Sequence, residues 1–480
     1  MKRIRFIALA ISIASVPLQA QTSAGLRVGA AAAEINPDVF PFQLRSGPSK
    51  YVHDPLHVRA VAFENGEGRA VIALIDAIGY GREASDMAKS IVADRTGWKP
   101  EEMLVSATHT HTAPKGGDTS PGRVAYEKKR LDGIVAALTQ AIESLEPARV
   151  GFGSDEEPTE VRNRRWYLKP GTMDKNPLGG FDRIRMNPNP ANITRPAGPI
   201  DPEIAVIYAR SKRRNKPLGL IANYALHYVG GIPKVTEENG RVVGMASADY
   251  FGEFARIMPH RVGGYNPPEN FVAFINNGAS GDINNIDFLR TRAPRAPFEQ
   301  VRVVATKAAD AAWRAVKKIE KYDENPLIAV RQREVRLKYR IPPPEDVAAA
   351  EKMMELSRKE RNAINKRASS VSQRTLLHAG SERPEDEKVL VQAMRIGEQA
   401  IVTMPFEVLV EIGLEIKEKS PFKRTMFIEL ANGSYGYLPP PNQHELGGYE
   451  TWLGVSRFQI DASVILTRHL LEMLAELRDL

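Results

Sequence analysis

Short apolar runs rich in β-branched residues alternate with amphipathic patterns along most of this chain. Five runs that end in turn residues predict strands, at 70–75, 103–107, 218–226, 271–275 and 396–404. Patterns between them predict helices at 84–96, 125–144, 249–257, 298–319, 408–418 and 461–478. A charged pattern with an apolar stripe predicts a further helix at 344–367, and the Pro-, Asn- and Gly-rich stretch 167–202 predicts a long surface loop. Because strands interleaved with helices build a sheet that helices cover, the pattern predicts an α/β fold, a single large mixed α/β domain.

The first twenty residues have the layout of a secretory signal peptide. Positive charges at Lys2, Arg3 and Arg5 precede an apolar run over 6–18, and the small residue Ala20 follows. A membrane anchor is the alternative, but the run is shorter than the roughly 20 residues that a span needs. The sequence therefore predicts a signal peptide at 1–20, a mature domain at 21–480, and a secreted or periplasmic protein.

Composition limits the chemistry that this chain can carry out. It has 480 residues and no cysteine, so disulfides, a thiol nucleophile and thiolate metal ligands are all excluded. A metal site must then use His, carboxylate or Tyr, which suits a catalytic zinc. The net charge of +8 is mild for this length, and the basic residues do not cluster with aromatics, so nucleic-acid binding is not predicted. A peripheral contact with an anionic membrane surface stays open, and no protein partner is implied.

The strongest local feature is a His-x-His pair directly after a predicted strand, in the stretch LVSATHTHTAPKGG. On an extended chain, residues two apart point to the same side, so His109 and His111 face one site. Two loop histidines packed for structural reasons are the simpler alternative. The metallo-β-lactamase pattern is excluded because Thr112 and Ala113 follow the pair. A TIM-barrel amidohydrolase is disfavoured because a strand precedes the pair.

The same stretch resembles the motif SATHTHSGPGG of the neutral, non-lysosomal ceramidases. The segment VGAAAAEINP is similar to the family's opening VGxGxxDITGP, and similarity continues over nearly the whole mature chain from about Arg27. The resemblance implies a Zn²⁺-dependent hydrolase that cleaves an N-acyl amide, with ceramide as substrate and a sphingoid base and a fatty acid as products. The family often has an additional C-terminal immunoglobulin-like domain, and this chain is expected to have the catalytic domain alone.

The resemblance also assigns residues to the zinc site. By position in the family's motifs, the implied zinc ligands are His109, His227, Glu407 and Tyr437. His111 is implied to handle protons beside the metal. Tyr449 in GGYETWLG lines the implied active site, and Arg164 in VRNRRW is implied to hold the substrate's polar group or the oxyanion.

One family segment is changed in this chain. The family reads Gly-Asp-x-Ser-Pro-Asn, and its serine has been assigned a catalytic role; here Gly281 and Asp282 are followed by Asn284 in the serine position. An asparagine cannot be a nucleophile, although it can donate a hydrogen bond, and Ser280 is the nearest hydroxyl. Zinc-dependent hydrolysis with altered substrate preference is therefore one hypothesis. The alternatives are hydrolysis of another N-acylated or peptide-like amide, and a non-catalytic zinc protein that binds lipid or glycan.

Overall fold

A computed structural model describes residues 25–290, 294–380 and 384–480, so the predicted signal peptide lies outside the described residues. In chain order the strands are β1 Arg27–Glu34, β2 Phe42–Leu44, β3 Gly47–Ser49, β4 His57–Asn65, β5 Gly68–Ile75, β6 Met103–Ala107, β7 Glu146–Glu156, β8 Arg162–Asn163, β9 Arg165–Leu168, β10 Ile184–Met186, β11 Ile193–Pro196, β12 Glu203–Ser211, β13 Pro217–Tyr224, β14 Val235–Thr236, β15 Val242–Val243, β16 Val272–Asn277, β17 Ile283–Asn284, β18 Ile328–Lys338, β19 Asp386–Ile396, β20 Gln399–Thr403, β21 Glu407–Val408, β22 Arg424–Ile428 and β23 Tyr437–Leu438. The α-helices are α1 Arg82–Thr96, α2 Pro121–Glu143, α3 Asp249–Gly263, α4 Glu299–Lys317, α5 Pro344–Glu355, α6 Arg358–Ile364, α7 Ala368–Ala379, α8 Val410–Lys419, α9 Pro441–Leu446 and α10 Ala462–Arg478.

The main sheet has eight strands in the order β16-β13-β12-β7-β1-β4-β5-β6. It curls so strongly that its two edge strands become neighbours. Ser106 Oγ on β6 donates to Asn276 Oδ1 on β16 at 2.8 Å, and Asn277 Nδ2 donates to the carbonyl of Thr108 at 3.0 Å. The segment 429–432 fills the remaining gap, because the amide of Glu429 bonds to Asn277 and the amide of Asn432 bonds to Val105. The curl therefore brings together loops that lie far apart in the sequence.

A four-stranded sheet, β18-β19-β20-β22, packs on the inner face of the curl. Its side chains Met394, Ile401 and Met426 share one apolar core with Val61 and Ile221 of the main sheet. Helices α1 and α2 cover the outer face of one half of the main sheet, α3 and α4 cover the other half, and α8 and α10 cover the far face of the smaller sheet. No described helix has the length and apolar composition that crossing a membrane requires.

The predicted mixed α/β fold is confirmed, with three local differences. The strand predicted over 396–404 begins only at Gln399, because the chain makes a tight turn at Gly397, where φ is +58°. The helix predicted over 344–367 is two helices, α5 and α6, since Ser357 starts a new helix by accepting the amide of Glu360 while the Glu360 carboxylate accepts the amide of Ser357. The stretch 167–202, predicted as a surface loop, includes β10 and β11, which pair with β9.

Lys89 on α1 supports the segment that closes the curl. Its side chain is buried, and Nζ donates to Asn432 Oδ1 at 2.5 Å. Burial lowers the pKa of Lys89 from 10.5 to about 7. Between those pH values the unfolded chain binds a proton that the folded chain does not, so the free energy of unfolding should rise with pH, by about 1.4 kcal/mol per unit. Below about pH 7 both states carry the proton and the gain is absent.

A Lys89→Met variant is expected to lose this part of the pH dependence. Its free energy of unfolding, compared with that of the parent, should be most favourable at the acid end of the range. Urea unfolding at pH 6, 7.5 and 9 measures the difference between variant and parent at each pH. Exposed Lys321, replaced by Met, is the matched control. Equal pH slopes for the parent and the Lys89→Met variant would contradict a neutral buried amine.

Candidate metal centre

His109 leaves β6 in a left-handed conformation, with φ of +62°. Few residues other than glycine adopt this region, and such strain is often found at functional sites. The turn directs the ring towards His227, which follows β13, and the two ring centroids are 4.6 Å apart. Together with His111 they form a group whose ligand atoms all lie within 4.8 Å of one another. The structure thus brings together histidines that are over a hundred residues apart in the sequence.

Glu407 approaches the histidines from a separate two-stranded sheet, β21-β23. Its Oε2 lies 3.3 Å from His109 Nε2 and 3.7 Å from His227 Nε2. The glutamate starts β21, which pairs in parallel with β23 so that Glu407 is directly opposite Tyr437. A close approach at Gly281 permits this arrangement, because a Cβ there would lie 2.7 Å from the Glu407 carbonyl oxygen. Three of the four implied zinc ligands, His109, His227 and Glu407, therefore lie together, and the fourth, Tyr437, is opposite Glu407 at their edge.

Hydrogen bonds to the outer ring nitrogens fix the tautomers of these histidines. His109 Nδ1 lies 2.6 Å from the Ile78 carbonyl, and His227 Nδ1 lies 3.1 Å from the Ser280 carbonyl. Since a carbonyl only accepts, both Nδ1 atoms carry the proton, and each Nε2 is left to bind a proton or a metal. This is the tautomer that metal-binding histidines need.

His111 has the opposite tautomer. Arg45 Nη1 lies 3.2 Å from His111 Nδ1, and a guanidinium only donates, so Nδ1 accepts. Burial, His109 and Arg45 lower the pKa of His111 to about 2, which keeps the ring neutral. The proton of a neutral ring then sits on Nε2, 3.0 Å from His109 Nε2. His111 presents an N–H to the centre, while His109 and His227 present lone pairs, so the three histidines are not equivalent.

The cluster fits a divalent metal. His227 Nε2 and Glu407 Oε2 are both buried and have no hydrogen-bond partner among the described residues. Buried polar atoms without partners are costly, and two that point at one place fit a cation bound between them. Burial opposes ionisation of Glu407, but the neighbouring His109 lowers its pKa; conversely, Glu407 raises the pKa of His109 against the effect of burial. Two imidazoles and a carboxylate are a donor set of the kind that catalytic zinc sites use.

Tyr437 and Arg164 lie beside this cluster. Arg164 Nη2 donates to the Tyr437 hydroxyl at 2.9 Å and to the Gly281 carbonyl at 2.6 Å, while Nε donates to Glu450 at 3.2 Å. Burial raises the pKa of Tyr437 well above 10, against the opposing effect of Arg164. The hydroxyl is thus held by the arginine at the edge of the cluster.

Tyr449 packs on Tyr437, with ring centroids 5.6 Å apart, and is half-buried. The Arg367 guanidinium lies over its ring, 5.3 Å from the ring centroid.

Asn284 makes its hydrogen bonds with the protein itself. Its Nδ2 donates to Asn187 Oδ1 at 2.7 Å and its Oδ1 accepts the amide of Ile286, so much of its amide is occupied by the protein.

The motifs did not point to three further residues around the cluster. Arg45 comes from the β2–β3 hairpin, and Tyr228 stacks on His111 with a centroid separation of 3.8 Å. Glu429 is fully buried behind the ligands, where it accepts bonds from Ser280 Oγ at 2.6 Å and from the Val408 amide at 2.8 Å; burial raises its pKa to about 8. Of the three, only Tyr228 could have been found from the sequence, because it directly follows the candidate ligand His227.

Comparison with known proteins gives matches at the level of structure. No family model matches the chain, and no curated protein sequence matches it. A solved neutral ceramidase from Pseudomonas aeruginosa superposes with a TM-score of 0.68 at 16% identity, over 95% of this chain and 75% of that one. A ceramidase complexed with C2 superposes with a TM-score of 0.69 at 16% identity, over 95% and 76% of the two chains. The chain therefore has the mixed α/β fold of neutral ceramidase, as the sequence motifs implied.

Proposed function

We propose that this protein is a zinc-dependent hydrolase of an N-acyl amide bond, with ceramide cleaved to a sphingoid base and a fatty acid as the default reaction. The observation that carries the proposal is the convergence of two histidine lone pairs and one buried carboxylate on a single point, with tautomers fixed from behind. The fold shared with neutral ceramidase supports the same reaction class.

His109, His227 and Glu407 would hold the zinc, with Tyr437 as the fourth ligand. Zinc bound there supplies a Lewis acid, which makes water a stronger nucleophile and the amide carbonyl a better electrophile. Ile78 and Ser280 contribute by holding the imidazoles in the binding tautomer.

The remaining side chains supply hydrogen-bond donors. The His111 Nε2–H and the Arg164 guanidinium face the region where the carbonyl oxygen becomes negative, and one such donor is typically worth about 3–4 kcal/mol in the transition state. Tyr449 closes the site on the side of Tyr437. A neutral His111, kept so by Arg45, acts better as a donor to the oxyanion than as a base, because its Nδ1 lone pair is already engaged.

Metal analysis and activity on the same purified protein test the proposal. We expect one zinc per chain and hydrolysis of a fluorescent ceramide, with activity lost on chelation and restored by zinc. Stoichiometric zinc without turnover of any member of a panel of N-acyl amides would instead favour the non-catalytic binding protein. A protein that hydrolyses the amide without any metal contradicts the mechanism.

Asn284→Ala is expected to lower kcat/KM by about tenfold or less. Asn187 and Ile286 already engage the amide of Asn284, so the side chain has one N–H left for the substrate, and one neutral hydrogen bond contributes about 0.5–1.5 kcal/mol. Steady-state kinetics of Asn284→Ala and Asn187→Ala separate a substrate contact from support of the loop. Complete inactivity of a folded, zinc-loaded Asn284→Ala protein would show that Asn284 is essential to the reaction.

Export to the periplasm or the exterior forms part of the proposal, with residues 1–20 removed and residues 21–480 retained as one hydrolase domain. Its support is the charge and hydropathy pattern of the first twenty residues. N-terminal sequencing of protein recovered from the export compartment tests it.

A further inference from the structure

A small cavity of about 250 Å³ opens directly beside His111. One part of its wall is apolar and another part is cationic; the lining side chains that matter here are Leu44, Ile232 and Met245 on the apolar part and Arg45 and Lys234 on the cationic part. The cavity is smaller than the roughly 300–1,000 Å³ of pockets that enclose drug-sized ligands. It therefore suits a small head group and cannot enclose a long acyl chain.

The cavity has an excess of positive charge. Arg45 and Lys234 are both exposed, and within 25–290, 294–380 and 384–480 neither forms an ion pair. The acidic groups of the neighbouring centre are already engaged: Glu407 faces the two histidines, and Glu450 is bound by Arg164 and Arg165. Because neither cation is paired with a described carboxylate, and Glu237, close to Lys234 in the sequence, is paired with Arg241, the cavity favours an anionic ligand.

Arg45 links this charge to the reacting centre. One of its nitrogens, Nη1, donates to His111 Nδ1. A guanidinium has five N–H donors in a planar fork, so most of them remain for a ligand, and the fork matches the geometry of a carboxylate. An anion bound to Arg45 would lie on the outer side of the His111 ring, whose Nε2–H points to the centre.

We propose that this cavity binds a carboxylate on the amine half of the substrate, so that the preferred substrate is an N-acyl amino acid. This inference rests on the proposed amide hydrolysis and specifies its substrate class. The apolar wall contacts the carbon atoms of the amino acid, and Arg45 and Lys234 bind its carboxylate.

The reaction balances as a simple hydrolysis. Water adds to the acyl carbon, the C–N bond breaks, and the nitrogen takes the electron pair together with the protons from water. The products are a fatty-acid carboxylate and an amino acid in its zwitterionic form. The negative charge of the substrate's carboxylate passes unchanged into the amino acid product.

The test compares substrates that differ only in that charge. Zinc-loaded full-length mature protein is assayed with N-dodecanoylglycine, its uncharged amide N-dodecanoylglycinamide, and a short-chain ceramide. We expect kcat/KM to favour N-dodecanoylglycine over its amide by about tenfold at low salt, and this preference to fall as salt screens the exposed cations. Lys234→Gln should reduce the preference for N-dodecanoylglycine over its amide about fivefold, mainly through KM. Lys321→Gln, an exposed change distant in the sequence, is the control and should leave this preference unchanged.

Different failures are distinguishable. Hydrolysis of ceramide with equal kcat/KM for N-dodecanoylglycine and its amide overturns the carboxylate subsite and leaves the proposed function standing. If none of the three substrates is hydrolysed, both the proposed function and the carboxylate subsite are overturned. An effect of Lys234→Gln that appears only on ceramide in vesicles containing anionic lipid assigns the cations to the membrane surface and overturns the inference.

Discussion

Glu407→Gln is expected to lower zinc affinity by at least about a hundredfold and to lower amide hydrolysis in proportion. Glutamine keeps the size of the side chain but removes the negative charge that faces both His109 and His227. Loss of an outer partner of a metal ligand already costs about 10–100-fold, so loss of a ligand's charge should cost no less. Metal content after dialysis and kcat/KM at saturating zinc measure the two effects.

Glu418→Gln, an exposed change on α8, is the control for this experiment and should retain zinc and activity. Unfolding curves of the metal-free proteins check that the Glu407→Gln variant still folds. A Glu407→Gln protein that keeps stoichiometric zinc and most of its activity would show that the zinc binds elsewhere.

Arg165→Met is expected to have the largest effect on stability, about 3–5 kcal/mol. The Arg165 side chain is fully buried and donates to Glu450 at 2.6 Å, to Gln443 at 3.0 Å and to the Gly447 carbonyl at 2.8 Å. The variant leaves the buried Glu450 carboxylate with Arg164 alone, at 3.2 Å, and removes the donor to the acceptors on Gln443 and Gly447; together these losses explain a cost of that size. Urea unfolding of the metal-free protein measures it.

Arg256→Met is the matched control, because Arg256 is exposed and its ion pair among the described residues is with Glu253, one helical turn away; we expect a change below about 0.5 kcal/mol. Restoration of much of the lost stability in a variant that also replaces Glu450 by Gln would confirm that the weakened pairing of the buried Glu450 charge is the main cause. A loss below about 1 kcal/mol for Arg165→Met alone would contradict the account.

The sequence predicted the fold class and a set of candidate metal ligands, because both could be recognised from local patterns. His-x-His after an apolar strand and the motif around Glu407 are recognisable in short windows, and the structure places those residues in one cluster. Arg45 was not predictable in this way. It approaches His111 from a hairpin more than sixty residues earlier, and nothing in the sequence near Arg45 indicates that it sets the tautomer of a histidine.

The roles of His111 and of the central sheet were also beyond local patterns. Whether an imidazole presents a lone pair or an N–H depends on its partner at the other nitrogen, which only the folded chain supplies. Alternating strands and helices predicted a sheet, but its curl follows from the pairing order of distant strands. The break at Ser357 was locally encoded by a capping box, and the longer amphipathic pattern obscured it.

The curl also protects the edges of the main sheet from pairing with strands of other molecules. An open sheet presents unpaired backbone groups along its edge strands, and these groups pair readily with strands of other molecules. Here β6 and β16 face each other, and the segment 429–432 takes up backbone groups of both. The contacts that assemble the candidate metal centre therefore also cover the two edges at which amyloid-like or domain-swapped pairing would otherwise begin.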